Sequence, residues 1–577
     1  MNNLLAQYIQ RFTVQGRYTK NILSSILLCL FVYSLGMGII QATEGTSLGG
    51  FFRIFLPSIF CFALFVFSSL FNLEEIKHLL SLSDIKFKQV ILVATIALLL
   101  AYPIIALGSN AGLTDFTIGT ITILGFFTSI YFIIAGKGSL SVIVFLLTFP
   151  FLSFFEYYYG SRYAFFGGIE WGPIILTPTI TFLLIIFFVS IITKSREKPS
   201  RVFRSSVTKA LLIFFILSFI SSLCSKSPIL STRCFILMWV YPFLLFVIIL
   251  RNIRTDNDLR LFSHTVIAWI CLISFFGLYL YFRRMEGISE IHNIYGATLP
   301  TNITSGTWGQ MAAMIFPLSI VLFLLSKGKV RIIYILMIGL LFVSMVLSFS
   351  RLPIPVTLFV LLILLKWKKV RIAVFTSVVI LILIFALYKP LLSDYVFYRF
   401  QHVRSFNDLI YDSSVQARWE GAKAALGMVK DHPLFGIGVG MWEDYVPYYA
   451  KMQNVVTGTG WGGEYEYGLG YIVDAHSLQL QVVADYGIPA FIAWISLLIM
   501  LFKEGFYILS KSKDQFRYHI ALGVVASLIT FVVISIFGGF DLRLFLGAHF
   551  MFWIVAAIIV KLKVLEQVAQ ETEVTTP

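Results

Sequence analysis

Long apolar segments, each separated from the next by a short polar connection, follow one another along almost the whole chain. A membrane-spanning helix needs about 20 mostly apolar residues, and this rule predicts about sixteen spans, with at least about 12. Two candidates are weak because they are short, and one of these also contains two prolines. The predicted spans are 22–41, 51–72, 90–108, 116–135, 139–155, 173–193, 210–224 (weak), 235–250, 262–282, 308–325, 332–350, 352–366 (weak), 372–388, 478–501, 519–537 and 544–560.

One long polar stretch interrupts this pattern before the last three predicted spans. Within it, apolar residues recur at helical spacing along residues 416–430, which predicts an amphipathic helix. We therefore predict an all-α fold, a polytopic transmembrane helix bundle with one long, partly helical loop on its outer side. The predicted parts are N-terminal spans in 1–306, core spans in 307–388, the outer loop in 389–477, and C-terminal spans with a short tail in 478–577.

The composition excludes a soluble globular protein. Hydrophobic residues make up 58% of the chain and charged residues only 13%, whereas a soluble domain has about 25% charged residues. The five cysteines show no spacing that is typical of a metal or redox site. Cys224 and Cys234 flank one short connection, and they form either a disulfide or, as we favour, two buried thiols.

The basic residues predict the orientation in the membrane. The net charge is +15, and most lysines and arginines fall in alternate connections, as they do on the cytoplasmic side of membrane proteins. We therefore predict cytoplasmic N- and C-termini, contacts with anionic membrane lipids and no nucleic-acid partner. The loop 389–477 then lies outside, where nucleotide-activated sugars are absent. A substrate must arrive there already activated, and a lipid carrier is the natural form.

Two arginines are candidates for binding an anionic group. Arg351 follows Ser350 at the predicted outer end of a span. It either extends to the membrane interface or points into the bundle and binds a phosphate with its planar fork. Arg418 lies in the first turn of the predicted loop helix, where the helix dipole disfavours a cation. Its expected partner is a carboxylate, Asp412 or Glu420, or else an anionic ligand.

Glycines dominate the segment that follows this helix. The proline of His432-Pro433 ends the helix, and Gly436, Gly438 and Gly440 follow at alternate positions. A phosphate-binding nucleotide loop needs flanking strand and helix, which this segment lacks. We interpret the glycines as tight turns that let one backbone approach another closely.

The outer loop also carries aromatic and acidic residues that suit a sugar. Rings stack on the apolar faces of sugars, and carboxylates accept hydrogen bonds from sugar hydroxyls. A mobile tether is the alternative interpretation. One outer acidic pair has metal-motif spacing, but we predict no metal and no cofactor. The candidate contacts to a glycan or acceptor are Trp461, Glu464, Tyr465, Glu466 and Asp474.

His476 stands where the chain re-enters the membrane. Histidine changes charge near neutral pH, which makes it the strongest candidate here for moving a proton. A helix-capping histidine at the membrane interface is the alternative. Asp485 follows inside an apolar segment, where an ionisable residue indicates a functional or packing constraint. The step Gly487-Ile488-Pro489 predicts a kink or break in this helix.

Together these segments resemble the O-antigen ligase and polymerase superfamily of bacterial membrane glycosyltransferases. The shared features are Ser-Arg at a helix end, an arginine before a helix that runs into Asp-His-Pro-Leu-Phe-Gly-x-Gly-x-Gly, and His-Ser-x-x-Leu followed by Asp-x-Gly-Ile-Pro-Ala. The resemblance covers roughly residues 310–500, and the N-terminal half matches only as apolar spans. The family often has other residues where this chain has Ser477, Asp485 and Ala490.

The resemblance implies a glycosyltransferase in the bacterial cytoplasmic (inner) membrane, with its active site on the outer face. The implied donor is a glycan on undecaprenyl pyrophosphate, and the implied acceptor is a glycan or glycolipid. Arg351 and Arg418 would hold the pyrophosphate, and His476 would activate the acceptor hydroxyl. Family members are thought to invert the anomeric centre, in a single displacement that needs no metal. The implied supporting residues are Ser350, Asp485 and Gly487.

Other activities stay open at this point. A ligase passes the glycan to lipid A core or another acceptor, whereas a polymerase adds a growing chain to a new repeat unit; we slightly favour the ligase. A lipid-linked glycan transporter would predict an internal repeat and charged residues at the membrane midplane, which we do not find. A non-catalytic scaffold would tolerate the loss of His476. The sequence does not predict an oligomeric state.

Overall fold

The computed structural model describes residues between 125 and 575, with gaps. Four predicted spans, 22–41, 51–72, 90–108 and 372–388, lie outside the described residues. The total of about sixteen spans and the division of the chain into four parts therefore stay predictions. The described residues are 125, 128–133, 137–148, 169–171, 174–176, 183–184, 186–188, 190, 205–285, 305–348, 352–364, 413–449, 475–537 and 548–575.

The described chain is all-helical, as predicted, apart from one short hairpin. Strands β1 (Ile169–Trp171) and β2 (Ile174–Leu176) pair antiparallel. The helices are α1 (Gly138–Thr148), α2 (Ser206–Leu223), α3 (Pro228–Asn252), α4 (Asp256–Met285), α5 (Ser305–Leu325), α6 (Gly328–Leu347), α7 (Pro353–Leu364), α8 (Ser413–Asp431), α9 (Trp442–Tyr449), α10 (Leu478–Lys511), α11 (Gln515–Phe537) and α12 (Ala548–Thr575).

Five described helices are long and apolar enough to cross a membrane. They are α2, α3, α10 and α11, together with residues Trp308–Leu325 of α5. Each overlaps a span predicted from the length of an apolar segment. The weak candidate at 210–224 belongs to α2, which has 18 residues. The other weak candidate, at 352–366, contains α7, which has 12 residues.

The predicted span 173–193 is wrong at its start, because Ile174–Leu176 form strand β2. Isoleucine has a branched Cβ that favours strands, and the sequence between the strands is Gly172-Pro173, a pair of turn-forming residues. Helical backbone appears later in the segment, at 186–188. The apolar length rule missed the hairpin because it does not distinguish strand from helix over a few residues.

Charged side chains join four helices at one end of the bundle. Arg517 of α11 donates two hydrogen bonds to Asp256 of α4, at 3.0 and 2.7 Å. It also forms an ion pair with Glu566 of α12 at 3.3 Å. Lys563 of α12 pairs with Glu504 of α10. We call the part of the bundle defined by these five residues the ionic end.

The opposite end of the bundle contains Ser221, His476 and Asp485, and we call it the histidine end. Ser206, at the start of α2, donates to Glu504 at 2.9 Å. Ser221, near the end of the same helix, donates to the carbonyl of Asp485 at 3.0 Å. Helices α2 and α10 therefore run antiparallel. The helical rise from Ile488 to Glu504 is about 24 Å, most of the roughly 30 Å of a bilayer's hydrocarbon core.

Aromatic rings fill the core between these two ends. The ring of Trp239 in α3 lies 4.9 Å from that of Phe214 in α2 and 5.3 Å from that of Trp494 in α10, measured between centroids. Tyr486 lies 6.0 Å from Phe214, and Trp553 lies 6.4 Å from Trp239. All five side chains are buried. Edge-to-face pairs contribute about 0.5–1.5 kcal/mol each beyond area burial, so this cluster fixes the half of α10 that carries the candidate site.

Candidate active site

Helix α10 is broken where the sequence predicts it. Gly487 has φ 81° and ψ 174°, far from helical values, and Pro489 follows inside the helix. In an intact α-helix each N–H bonds the carbonyl four residues earlier. Proline has no N–H, so the carbonyl of Asp485 loses its helical donor. The N–H of Ile488 donates to the carbonyl of Pro433 instead of to that of Ala484, so the carbonyl of Ala484 also needs another donor.

The glycine loop, residues 432–441, supplies both missing donors. The N–H of Ile437 donates to the carbonyl of Ala484 at 2.9 Å. The N–H of Gly438 donates to the carbonyl of Asp485 at 2.9 Å. Each buried backbone group left without a partner would cost about 1–3 kcal/mol. The loop therefore stabilises the break, and the break holds the loop in one position.

A third bond and two close approaches complete this contact. The N–H of Ile488 donates to the carbonyl of Pro433 at 2.8 Å. A Cβ on Gly436 would lie 2.5 Å from the backbone of α10, and a Cβ on Gly487 would lie 2.4 Å from the carbonyl oxygen of Leu434. Both glycines also have positive φ, which other residues rarely adopt. The prediction that the loop glycines let two backbones approach is confirmed at Gly436, whereas Gly438 and Gly440 lie against side chains.

The α2–α3 corner, residues 221–234, contacts the other side of the glycine loop. A Cβ on Gly438 would lie 2.3 Å from a side-chain atom of this corner, and a Cβ on Gly440 would lie 2.5 Å from the Sγ of Cys234. Cys224 and Cys234 are both thiols. Cys224 is exposed, so its predicted burial is wrong. It follows the last residue of α2, where the chain turns.

His476 has an unusual backbone conformation. Its φ is 49°, and it is the one non-glycine residue with positive φ in the part of the chain that the structure describes. Such a conformation costs of order 1–3 kcal/mol, and similar strain clusters at functional sites. The side chain is half-buried. Ser477 caps the first turn of α10 by accepting a hydrogen bond from the N–H of Leu480, so His476 immediately precedes the helix rather than capping it.

Two buried polar side chains hold the backbone beside His476. The N–H of Ala475 donates to Oε1 of Gln481 at 2.9 Å. The Nε2 of Gln481 donates to Oδ1 of Asp485 at 2.8 Å. Gln481 is 7% exposed and Asp485 is 1% exposed. Asp485 was predicted as a supporting residue, whereas Gln481 was not predicted. The sequence feature that could have identified Gln481 is its spacing of four positions from Asp485, since both are polar residues in an apolar helix.

The start of α10 is also tied to the end of α11. The Nε2 of Gln479 donates to the hydroxyl of Ser535 at 2.7 Å. The Nε1 of Trp494 donates to Oε1 of Gln479 at 2.8 Å. Because Trp494 belongs to the aromatic core, the first turn of α10 is fixed from within the bundle. The strained residue before that turn therefore sits on a rigid support.

Arg418 lies on α8, the helix that was predicted in the outer loop, but in its second turn, because the helix begins at Ser413; the predicted first-turn position is wrong. It is exposed. One of its two predicted carboxylate partners, Glu420, forms an ion pair with Lys423 at 2.7 Å. The other, Asp412, lies outside the described residues.

Helix α8 packs against the segment that carries His476. Ala424, Ala425 and Met428 are buried in one cluster with Ala475 and Ala484. The small alanine side chains allow the helix to approach the start of α10 closely. Arg418 precedes the first of these contacts by about 9 Å of helical rise. The structure therefore brings the helix of Arg418 and the backbone of His476 together.

A second helix in the loop, α9, was not predicted. Tyr449 of α9 donates to a carboxylate oxygen of Asp431, the last residue of α8, at 2.9 Å. The ring of His432 contacts that of Tyr445 edge-on, with centroids 5.5 Å apart. Partial burial and the bond to the Asp431 carboxylate raise the pKa of Tyr449 to about 12. The tyrosine hydroxyl therefore stays protonated at neutral pH and keeps donating this bond.

The residues that flank Arg351 can be placed by helix direction. The ring of His264 in α4 contacts the hydroxyl of Tyr334 in α6, and the thiol of Cys271 donates to the carbonyl of Met337 at 3.9 Å. Residue numbers thus rise together along both helices, which run parallel. Since α4 begins at the ionic end, α6 and its C-cap Ser348 end towards the histidine end.

Several predicted site residues have no described position. Ser348 and Leu352 flank the Ser350-Arg351 pair, but the pair itself is not described. The same holds for most of the aromatic and acidic loop residues, and all of these roles stay predictions. The predicted site residues outside the described part are Ser350, Arg351, Trp461, Glu464, Tyr465, Glu466 and Asp474.

Residues 336–495 match the family model described as O-antigen ligase. The match runs from α6 through the glycine loop into α10 and includes Arg418, His476 and Gly487. The resemblance that the motifs indicate over roughly residues 310–500 is thereby confirmed. The α2–α3 corner lies outside the matched residues. A search of curated proteins finds no match to this chain.

Proposed function

Because this chain belongs to the O-antigen ligase superfamily through residues 336–495, we propose that it transfers a glycan from undecaprenyl pyrophosphate to an acceptor hydroxyl. The proposed acceptor is a glycan or glycolipid, and the proposed place is the outer face of the bacterial cytoplasmic membrane. One observation carries the proposal. His476 is held in a strained backbone conformation at the start of α10, beside the helix that presents Arg418.

Basic residues support this orientation. Lys503, Lys511, Lys513 and Arg517 lie in or beside the connection between α10 and α11, and Arg517 belongs to the ionic end. Such an excess of Lys and Arg marks cytoplasmic connections. The histidine end then faces outwards, and α8 and the glycine loop lie on that side. A donor in that compartment has to be activated before it arrives, as a lipid-linked glycan is.

The chemistry follows from the types of residue that the site would combine. The acceptor oxygen attacks the anomeric carbon, and the bond from that carbon to the pyrophosphate oxygen breaks. The acceptor proton passes to His476, a general base whose contribution is typically about 10²–10⁴-fold. Negative charge develops on the leaving pyrophosphate, and the guanidiniums of Arg351 and Arg418 stabilise it electrostatically. A single displacement inverts the anomeric centre and needs no metal.

The glycine loop explains how distant residues would act as one site. It links the end of α8 to the break in α10 through three backbone hydrogen bonds. Arg418 and His476 are therefore carried by two elements that this loop joins. Preorganisation of this kind matters because a misplacement of about 1 Å can reduce a rate by about 10²-fold.

Reconstitution tests the proposal. The purified protein in lipid nanodiscs is given undecaprenyl-pyrophosphate-linked glycan, with and without a lipid A core acceptor. We expect transfer by the wild type, and loss of transfer by His476→Ala with normal membrane insertion. His519→Ala is the matched control, because His519 is half-buried like His476 and its ring nitrogen contacts the carbonyl of Gln515 near the ionic end. Its transfer rate should equal that of the wild type.

The products separate the possible outcomes. A single glycan joined to the lipid A core indicates a ligase, and acceptor-independent lengthening of the lipid-linked glycan indicates a polymerase. Wild-type transfer rates in His476→Ala would remove this residue from the mechanism. Movement of lipid-linked glycan between leaflets without any new glycosidic bond would replace the proposal with a transporter.

A further inference from the structure

Ser221 contacts the candidate site from outside the matched segment. It lies in the last turn of α2 and is 0% exposed. Its hydroxyl donates to the carbonyl of Asp485 at 3.0 Å and lies within hydrogen-bond distance of the carbonyl of Phe435. These two carbonyls belong to the two segments that meet at the break in α10. One side chain thus contacts both sides of the junction.

The hydroxyl of Ser221 donates to a carbonyl that has lost its helical donor. The carbonyl of Asp485 has no helical donor, because position 489 is proline. It accepts from the N–H of Gly438 and from Ser221 instead. A hydroxyl has a single hydrogen, so Ser221 shares it between the carbonyls of Phe435 and Asp485. Either arrangement holds the glycine loop and α10 at the same separation.

The neighbouring residues of the α2–α3 corner reinforce this contact. The hydroxyl of Ser225 donates to the carbonyl of Ser222 at 2.9 Å, which closes the turn after α2. The side chains of Ser225 and Ser231 surround the position where Gly438 lacks a Cβ, and Cys234 does the same at Gly440. The corner therefore forms a fitted surface under the glycine loop.

We propose that Ser221 is a positioning residue of the candidate active site. It fixes the glycine loop, which follows the helix of Arg418, against the break in the helix that begins after His476. The α2–α3 corner thereby makes the N-terminal half of the chain part of the site. The catalytic consequence rests on the proposed glycan transfer, whereas the structural consequence does not.

Hydrogen exchange tests the structural part in the full-length protein in nanodiscs. Ser221→Ala removes the shared donor, and the amides of Ile437 and Gly438 should then exchange about fivefold faster or more, as the loss of one hydrogen bond implies. Ser222→Ala is the matched control. Ser222 is equally buried, but its hydroxyl donates only to Ser218 of its own helix, at 3.0 Å. Equal exchange in both variants would overturn the proposal.

Steady-state transfer tests the positioning role. Ser221→Ala should lower kcat about 10–100-fold and leave KM for the lipid-linked donor nearly unchanged, because the residue does not touch the donor. Ser222→Ala should retain wild-type kcat. Faster exchange with an unchanged kcat would show a purely structural clamp and overturn the positioning role. If the wild type transfers nothing, the proposed function fails, while the exchange result still decides whether Ser221 joins the two segments.

Discussion

Substitution of Gly487 by alanine tests whether the break in α10 is required. The backbone of Gly487, with φ 81° and ψ 174°, lies in a region that is essentially restricted to glycine. Forcing another residue into it costs about 1–3 kcal/mol. The new Cβ would also lie 2.4 Å from the carbonyl oxygen of Leu434. The glycine loop must then move, and at least one of its bonds to α10 weakens, at about 1 kcal/mol.

The expected total is a destabilisation of about 2–4 kcal/mol. Unfolding in mixed micelles with increasing sodium dodecyl sulfate measures it, and the transfer assay measures activity. The matched control is Gly339→Ala in the interior of α6, where a Cβ would meet nothing within 4 Å. That change should be neutral, or stabilising by up to about 1 kcal/mol through helix propensity.

Gly487→Ala should also lower the transfer rate of the protein that stays folded. Displacement of the glycine loop moves the end of the Arg418 helix relative to His476, and we expect a loss of about 10²-fold in protein that is still inserted and folded. If Gly487→Ala is as stable and as active as Gly339→Ala, the contact between the glycine loop and the break in α10 is not what holds the site together.

Three further changes probe other parts of the structure. Gln481→Leu removes the bond from the N–H of Ala475 and the bond to Oδ1 of Asp485, so kcat should fall at least about tenfold, while Gln570→Leu, near the ionic end, should not affect it. Arg351→Lys should weaken donor binding, since an ammonium lacks the planar fork; unaltered donor affinity would mean that Arg351 only extends to the membrane interface. Arg517→Ala leaves the carboxylate of Glu566, 4% exposed, without this ion pair and should destabilise by about 3 kcal/mol. Transfer per folded molecule should stay unchanged, and the exposed Lys503→Ala should be neutral in both assays.

Features that depend on a few neighbouring residues were predictable from the sequence. The length of the apolar segments predicted the spans that overlap α2, α3, α5, α10 and α11. His432-Pro433 predicted the end of α8, and Gly487 with Pro489 predicted the break in α10. In each case the cause is local: a missing N–H, a restricted φ or the length of a bilayer. The same local rule failed at Ile174–Leu176, where a short apolar run fits a strand as well as a helix.

Contacts between distant residues were not predictable. Ser221 is separated from Asp485 by 264 positions, and no local pattern distinguishes it from the other serines of α2. Gln481 was missed because a glutamine near a helix start is ordinary until its two partners are known. Helix α9 was missed because Trp442, Tyr445 and Tyr449 pack in one cluster with α8 rather than forming a long periodic pattern.

Patterns along the chain were enough to predict the membrane spans, the place of the polar loop, and the motifs that resemble the O-antigen ligase superfamily. The fold was needed to show that the glycine loop completes the hydrogen bonds of a broken helix, and that a serine from the N-terminal half contacts both. Propensity, polarity and proline act within a few residues, whereas these contacts join distant ones. A backbone carbonyl left without its helical donor can be satisfied by any donor that folding brings near, from any part of the chain.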